Sequence, residues 1–72
     1  MKTYHVEYLL YANDNARGID VLAKSKEDAY RKAVYEDIPN KEKESPYSAW
    51  VSSVTYNNGN YRTFNTFSGK PL

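Results

Sequence analysis

A predicted hairpin turn near the C-terminus constrains the fold of this chain most strongly. It is formed by Asn58 and Gly59, and Asn-Gly is the pair that best supplies the two positive-φ positions of a tight β-turn. The flanking residues 49–55 and 62–68 are mainly aromatic, β-branched or hydroxyl-bearing, a composition typical of strands. The pattern predicts two antiparallel strands joined by this turn.

Two further strands are predicted at the N-terminus. Residues 2–12 alternate with a period of two, and residues 18–24 resume the alternation after a cluster of turn-forming residues at 13–18. A short loop between two strands favours antiparallel pairing. The two strands each present one apolar face, made of Tyr4, Val6, Tyr8, Leu10, Ile19, Val21 and Ala23.

A helix is predicted between the two pairs of strands. Ser25 can cap its first turn, acidic residues follow at the positive end of the helix dipole, and Pro39 is expected to end it. One stripe is apolar, with Ala29, Tyr30, Ala33, Val34 and Ile38. On the solvent side, Glu27 with Arg31 and Asp28 with Lys32 have the i,i+4 spacing of ion pairs. Residues 40–45 are expected to form a charged, solvated connector.

Together these elements predict a single α+β domain over residues 1–72. The order is ββαββ, with strands at about 2–12, 18–24, 48–56 and 61–68 and a helix at about 26–37. We expect a four-stranded, mostly antiparallel sheet with the helix packed on one face. Regular alternation places Trp50, Val54 and Tyr56 on one face of the third strand, and a two-residue turn pairs Val54 with Thr63. Trp50 and Phe67 are the aromatic residues of this hairpin that we expect in the core.

Composition excludes several classes of protein. The chain has 72 residues, a formal charge of +1, no cysteine and one histidine. Disulfides and the common structural zinc sites are therefore excluded, and the near-neutral charge weakens nonspecific binding to nucleic acids. A small chain without cysteine favours the cytoplasm over secretion. The N-terminus lacks the apolar core of a signal peptide, and no apolar stretch approaches the roughly 20 residues of a membrane helix.

No motif in the sequence predicts catalysis. His5 is the only histidine, and it shares a strand face with Glu7, but two ligands are too few for a metal site. The three glycines are isolated, so they cannot form a phosphate-binding loop. We therefore expect a non-enzymatic protein with no cofactor, no metal and no catalytic residues.

The hairpin is the predicted interaction site. From Pro46 onward the only charged side chains are Arg62 and Lys70, and a single helix covers only one face of a sheet. Some aromatic rings are then expected to be accessible or covered by a second subunit. The candidate contact residues are Tyr56, Tyr61, Arg62 and Phe64, binding a protein partner or a second copy. Steric inhibition of an enzyme by the bound hairpin is a special case of binding to a protein partner. The alternative is a nucleic-acid-binding accessory protein using Arg62 and Phe64, with Lys70 and Arg17 as further contacts.

Three segments carry a resemblance to a known group. Residues 21–29, Val-Leu-Ala-Lys-Ser-Lys-Glu-Asp-Ala, are similar to the strand-to-helix signature of the DpnD/PcfM-like proteins. Together with residues 54–59 and the ending Phe-Ser-Gly-Lys-Pro-Leu at 67–72, they resemble small proteins of Gram-positive plasmids, integrative elements and phages. The resemblance implies a bacterial or phage accessory protein, and this group has no assigned catalytic residues to carry over.

Overall fold

The computed structural model describes residues 1–55 and the backbone of residues 61–63. It is an α+β fold in which one helix packs on an antiparallel sheet of three long strands: β1 (Lys2–Leu9), β2 (Arg17–Ala23) and β3 (Ser48–Thr55). β1 lies in the centre, between β2 and β3. The predicted antiparallel pairing of the first two strands is confirmed. β1 ends three residues earlier than predicted, because the chain turns after Leu9 and the carboxylate of Asp14 accepts the N–H of Leu10 at 3.0 Å.

The core lies between the helix and one face of the sheet. Period-two alternation places every second strand residue against the helix, and the predicted apolar faces of β1 and β2 are confirmed. The helix contributes a narrow stripe whose alanines permit close approach to the sheet. The buried apolar residues are Tyr4, Val6, Tyr8, Val21, Ala23, Ala29, Ala33, Val34, Ile38, Ala49, Val51 and Val54, with Leu10, Ile19 and Tyr30 packed at the margin.

A β-bulge at Ser52 changes which residues of β3 face the helix. His5 pairs with Ser53 and the next residue, Val6, pairs with Val51, so Ser52 is an extra residue on β3. Val51 and Val54 are consequently both buried although they are three residues apart. The prediction that Trp50 shares the core face with Val54 is therefore wrong: Trp50 lies on the opposite face, beside Glu7.

The helix continues past Pro39, where the sequence predicted its end. It consists of α1 (Lys26–Lys32), a π-helical segment (Ala33–Asp37) and α2 (Ile38–Glu42). The ring of a proline in a regular helix clashes with the carbonyl four residues earlier, here that of Tyr35, which lies inside the wider π-helical segment. Pro39 also occupies the first turn of α2, where proline is tolerated. The helix ends at Lys43, which adopts the left-handed conformation at φ 67°.

The N-terminal cap of the helix is confirmed, but the predicted ion pairs are not formed. Ser25 Oγ accepts the N–H of Asp28 at 3.1 Å. Arg31 pairs with Asp28, one turn back at i,i+3, and Lys32 donates to the backbone carbonyl of Leu22 at 3.0 Å. Both predicted i,i+4 pairs are thus replaced: Arg31 takes Asp28 as its partner, and Lys32 takes the carbonyl of Leu22. Lys32 thereby occupies a backbone acceptor of β2, an edge strand that would otherwise invite pairing with another chain.

Beyond β3, the backbone of Tyr61–Thr63 runs antiparallel to it. Val54 pairs with Arg62 and Thr55 with Tyr61, one residue away from the register that a two-residue turn predicts. The rest of the predicted strand 61–68, including Phe64 and Phe67, lies outside the described residues, as do Tyr56, Asn58 and Gly59. The complete ββαββ order stays a prediction.

Candidate uncovered face of the sheet

The face of the sheet opposite the helix is uncovered in the described part of the chain. We call it the open face. It contains alternate residues of all three long strands, and cross-strand partners lie side by side on it. None of its residues is buried. Its members are Thr3, His5, Glu7 and Leu9 on β1, Gly18, Asp20 and Leu22 on β2, and Ser48, Trp50, Ser53 and Thr55 on β3.

His5, Asp20 and Gly18 form one side of the open face. His5 Nδ1 lies 2.9 Å from Asp20 Oδ1 across the β1–β2 pair. A carboxylate only accepts hydrogen bonds, so Nδ1 carries the proton. The imidazole leans over Gly18: a Cβ at that glycine would lie 2.6 Å from His5 Cε1 and 2.8 Å from Nε2. The imidazole ring thus occupies the space in which a side chain at position 18 would lie.

Glu7 and Trp50 form the other side. They pair directly across β1 and β3, while Gly18 is the partner of Glu7 on β2. Directly opposite residues on neighbouring strands have Cβ atoms about 5 Å apart, so the side chains of Glu7 and Trp50 leave the sheet next to each other. Asp20 is the diagonal neighbour of Glu7, about 7–8 Å away by the same geometry. Asp20 is well exposed, with 70% of its side chain accessible.

The open face is acidic. Glu7 and Asp20 are its two formally charged residues among those described. Two basic side chains around the second strand have other roles: Arg17 pairs with Asp14 at 2.8 Å, and Lys32 donates to the Leu22 carbonyl at the edge of β2. Leu22, 57% exposed, Thr55 and Trp50 supply apolar or weakly polar area around the two carboxylates.

Asp20, His5 and Ser53 form a row across three strands with the residue types of a hydrolase triad. The geometry does not support that chemistry. His5 Nε2 lies against Gly18 on the β2 side, away from β3, and within the described residues no hydrogen bond joins the His5 imidazole to a serine hydroxyl. The one serine hydroxyl bonded to this residue, Ser52 Oγ, donates to the His5 backbone carbonyl at 3.1 Å. Nucleophilic catalysis needs a base in contact with the hydroxyl.

Residues 1–55 contain no cluster of three or more side chains suited to hold a metal ion. His5 and Glu7 share a face, as the alternation predicts. They lie on β1, which is the central strand of the three long strands. Their place in the middle of the open face makes them central to any contact made there.

A second polar cluster connects one end of the sheet to the helix. The buried Tyr8 donates its hydroxyl hydrogen to Glu42, and Arg17 lies 4.0 Å from the same carboxyl group. Burial, followed by the hydrogen bond to Glu42, raises the pKa of Tyr8 to about 12. The hydrogen bond from Arg17 lowers the pKa of Asp14. All four groups are satisfied by one another, so we assign this cluster to fold stability.

The predicted site residues are placed only in part. Tyr56 and Phe64 lie outside the described residues, and only the backbone of Tyr61 and Arg62 is described. Sequence reasoning missed Asp20 and Gly18 and assigned Trp50 to the core. The alternation of residues 18–24 does place Asp20 on the outer face, but its pairing with His5 depends on the length of the loop. The position of Trp50 depends on the bulge.

Comparisons with known proteins complete the description of the chain. Among the described residues, no helix is both long enough and apolar enough to cross a membrane. No protein-family model, no curated protein and no solved structure matches this chain.

Proposed function

We propose that this protein is a small, non-enzymatic interaction module that binds a protein partner through the open face. The observation that carries the proposal is the position of Trp50. The largest apolar side chain in the sequence lies half-buried on the face without a helix, in a row with Glu7 on β1 and Gly18 on β2. Aromatic side chains contribute disproportionately to protein–protein contacts.

The predicted C-terminal hairpin would extend this surface. With a complete fourth strand the fold is ββαββ, and the added strand lies beside β3, next to Trp50. Tyr56, Tyr61, Arg62 and Phe64 are the hairpin residues that we propose as further contacts. Tyr61, the partner of Thr55, would extend the open face, whereas Arg62, the partner of the buried Val54, would act outside it. The resemblance to DpnD/PcfM-like proteins adds an accessory role in a plasmid, integrative element or phage, acting in the bacterial cytoplasm.

The charge of the open face favours protein over nucleic acid as its ligand. Glu7 and Asp20 repel phosphate groups, whereas nucleic-acid binding depends mainly on attraction between phosphates and basic side chains. A nucleic-acid site at Arg62 and Phe64 would have to act without this face. Anisotropy titrations with single- and double-stranded oligonucleotides at low salt test that alternative.

Selection from an unbiased peptide-display library on the full chain tests the proposal. We expect the selected peptides to bind the wild-type chain and to lose binding in Trp50→Ala. Tyr35→Ala is the matched control, because Tyr35 is 68% exposed on the helix, on the other side of the molecule. Thermal unfolding verifies that both variants fold. If Trp50→Ala leaves binding unchanged, Thr55→Arg tests the same face with a larger side chain. Selected peptides that bind all of these variants equally would overturn the proposal.

A further inference from the structure

We infer that the partner of the open face is a cationic segment of another protein, with a lysine or arginine flanked by apolar side chains. This inference rests on the proposed function and specifies its ligand. It follows from the charges of the open face and from the cross-strand pairs that form it.

The carboxylate of Glu7 is the first recognition group. Within the described residues no hydrogen bond or ion pair involves this side chain, although it lies in the centre of the face and is partly covered by its neighbours. The two residues directly opposite are Gly18, which offers no side chain, and Trp50, whose indole N–H makes no hydrogen bond to this carboxylate. A partner's cation would form an ion pair with this carboxylate.

Trp50 is the second recognition group. Its position opposite Glu7 places an aromatic ring and a carboxylate side by side. A lysine or arginine that pairs with Glu7 can lie over the indole at the same time, which adds a cation–π interaction. The methylene groups of such a long side chain cover apolar surface while the charged end stays at the carboxylate.

Asp20 is the third group, and its hydrogen bond to His5 fixes its position. Nδ1 of His5 lies 2.9 Å from one carboxylate oxygen, and the other oxygen is left for a ligand. A carboxylate can accept several hydrogen bonds, including paired ones from a guanidinium. Glu7 and Asp20, diagonal neighbours, therefore form two acceptor positions on one surface, with the imidazole between them.

The same charges disfavour a second copy of this chain as the occupant. A symmetric face-to-face dimer buries Glu7 and Asp20 of both copies together, and bringing like charges together is unfavourable. The described part of the open face contains no lysine or arginine to offset them. Self-association through this face is consequently an outcome that the test must exclude.

The test uses the peptides selected on the full chain and two double variants. We expect the selected peptides to be enriched in lysine or arginine between apolar residues, and their binding to weaken with salt. Glu7→Gln with Asp20→Asn removes both acceptor charges and should weaken binding about fivefold or more, since each exposed pair contributes modestly. Glu27→Gln with Glu36→Gln removes the same charge from the helix and should leave affinity unchanged.

Isothermal titration calorimetry measures each affinity, including that of Trp50→Ala, which has no tryptophan, and sedimentation equilibrium reports the oligomeric state. Selected peptides that need Trp50 but are neutral or acidic, or that bind the Glu7/Asp20 variant unchanged, overturn this inference and leave the proposed function standing. A dimer that forms with concentration and is lost in Trp50→Ala also overturns it. If the selected peptides bind Trp50→Ala and Thr55→Arg as well as they bind wild type, the inference fails together with the proposed function.

Discussion

The side chain of Tyr8 is buried in the core, and Glu42 accepts the hydrogen bond of its hydroxyl. A buried hydroxyl without a partner costs free energy comparable to a lost hydrogen bond. Glu42 lies in the last turn of α2, so this single bond connects the central strand to the end of the helix. Continuation of the helix past Pro39 is what brings Glu42 to that position.

Tyr8→Phe tests this bond and its pH dependence. At neutral pH we expect a loss of about 1–2 kcal/mol in the free energy of unfolding. The pKa of Tyr8 is raised to about 12 in the folded chain from an ordinary value of 10. The contribution of this hydrogen bond to the free energy of unfolding is therefore complete below pH 10 and is lost as the pH rises through 12. Between pH 8 and pH 11, the free energy of unfolding measured in urea should fall by about 1.4 kcal/mol more in wild type than in Tyr8→Phe. Equal losses would contradict the assignment.

Gly18 determines the position of the His5 ring. A Cβ at this glycine would lie 2.6 Å from His5 Cε1, so Gly18→Ala must displace the imidazole from Asp20. The ring is the far end of a partly exposed side chain, and we expect a stability change under about 1 kcal/mol. NMR of the imidazole signals measures the contact: Asp20→Asn should shift them in the wild-type background and leave them unchanged in Gly18→Ala. Equal shifts in both backgrounds would show that the ring does not depend on Gly18.

At the scale of the elements, the bulge at Ser52 decides which face of β3 is buried. Val51 and Val54 both face the helix only because one extra residue separates them. The same residue places Trp50 on the open face. A period of two cannot predict this, because alternation identifies faces only where the pairing is regular.

Deletion of Ser52 should cost little, because it converts the bulge into regular pairing. Val51 and Val54 then lie two residues apart and both still face the helix, each with its present partner on β1. Ser52→Ala loses the bond to the His5 carbonyl, at a cost of about 0.5–1.5 kcal/mol, and we expect a similar cost for the deletion. Insertion of an alanine after Ser53 instead turns Val54 away from the core, and a buried valine contributes about 1.5–3 kcal/mol. Urea denaturation compares the three variants, and a deletion as damaging as the insertion would contradict the role of the bulge.

The helix and the first two strands could be predicted from the sequence because their signals are local. Ser25 is a cap in both the sequence and the structure, and the stripe from Ala29 to Ile38 is buried as its spacing indicates. The end of the helix could not be predicted, since the tolerance of Pro39 depends on the π-helical segment before it. The ion pair of Arg31 and the bond of Lys32 to β2 depend on tertiary contacts for the same reason.

At the scale of the whole molecule, the sheet has two unlike faces. One is a dense apolar layer against the helix, and the other has Trp50 among carboxylates, hydroxyls and an imidazole. The sequence predicted that a single helix leaves one face uncovered. It could not predict which residues form that face, because the candidate site depends on the bulge and on the β1–β2 register.

The accessibility of Trp50 tests this two-faced arrangement most directly. It is the single tryptophan of the chain, so acrylamide quenching of intrinsic fluorescence reports on this position alone. We predict efficient quenching in the native chain at a dilution where it is monomeric, intermediate between a fully shielded ring and the urea-unfolded chain. The quenching should decrease when a selected peptide binds. Native quenching as low as that of a core tryptophan, with cooperative unfolding required to expose the ring, would contradict the account.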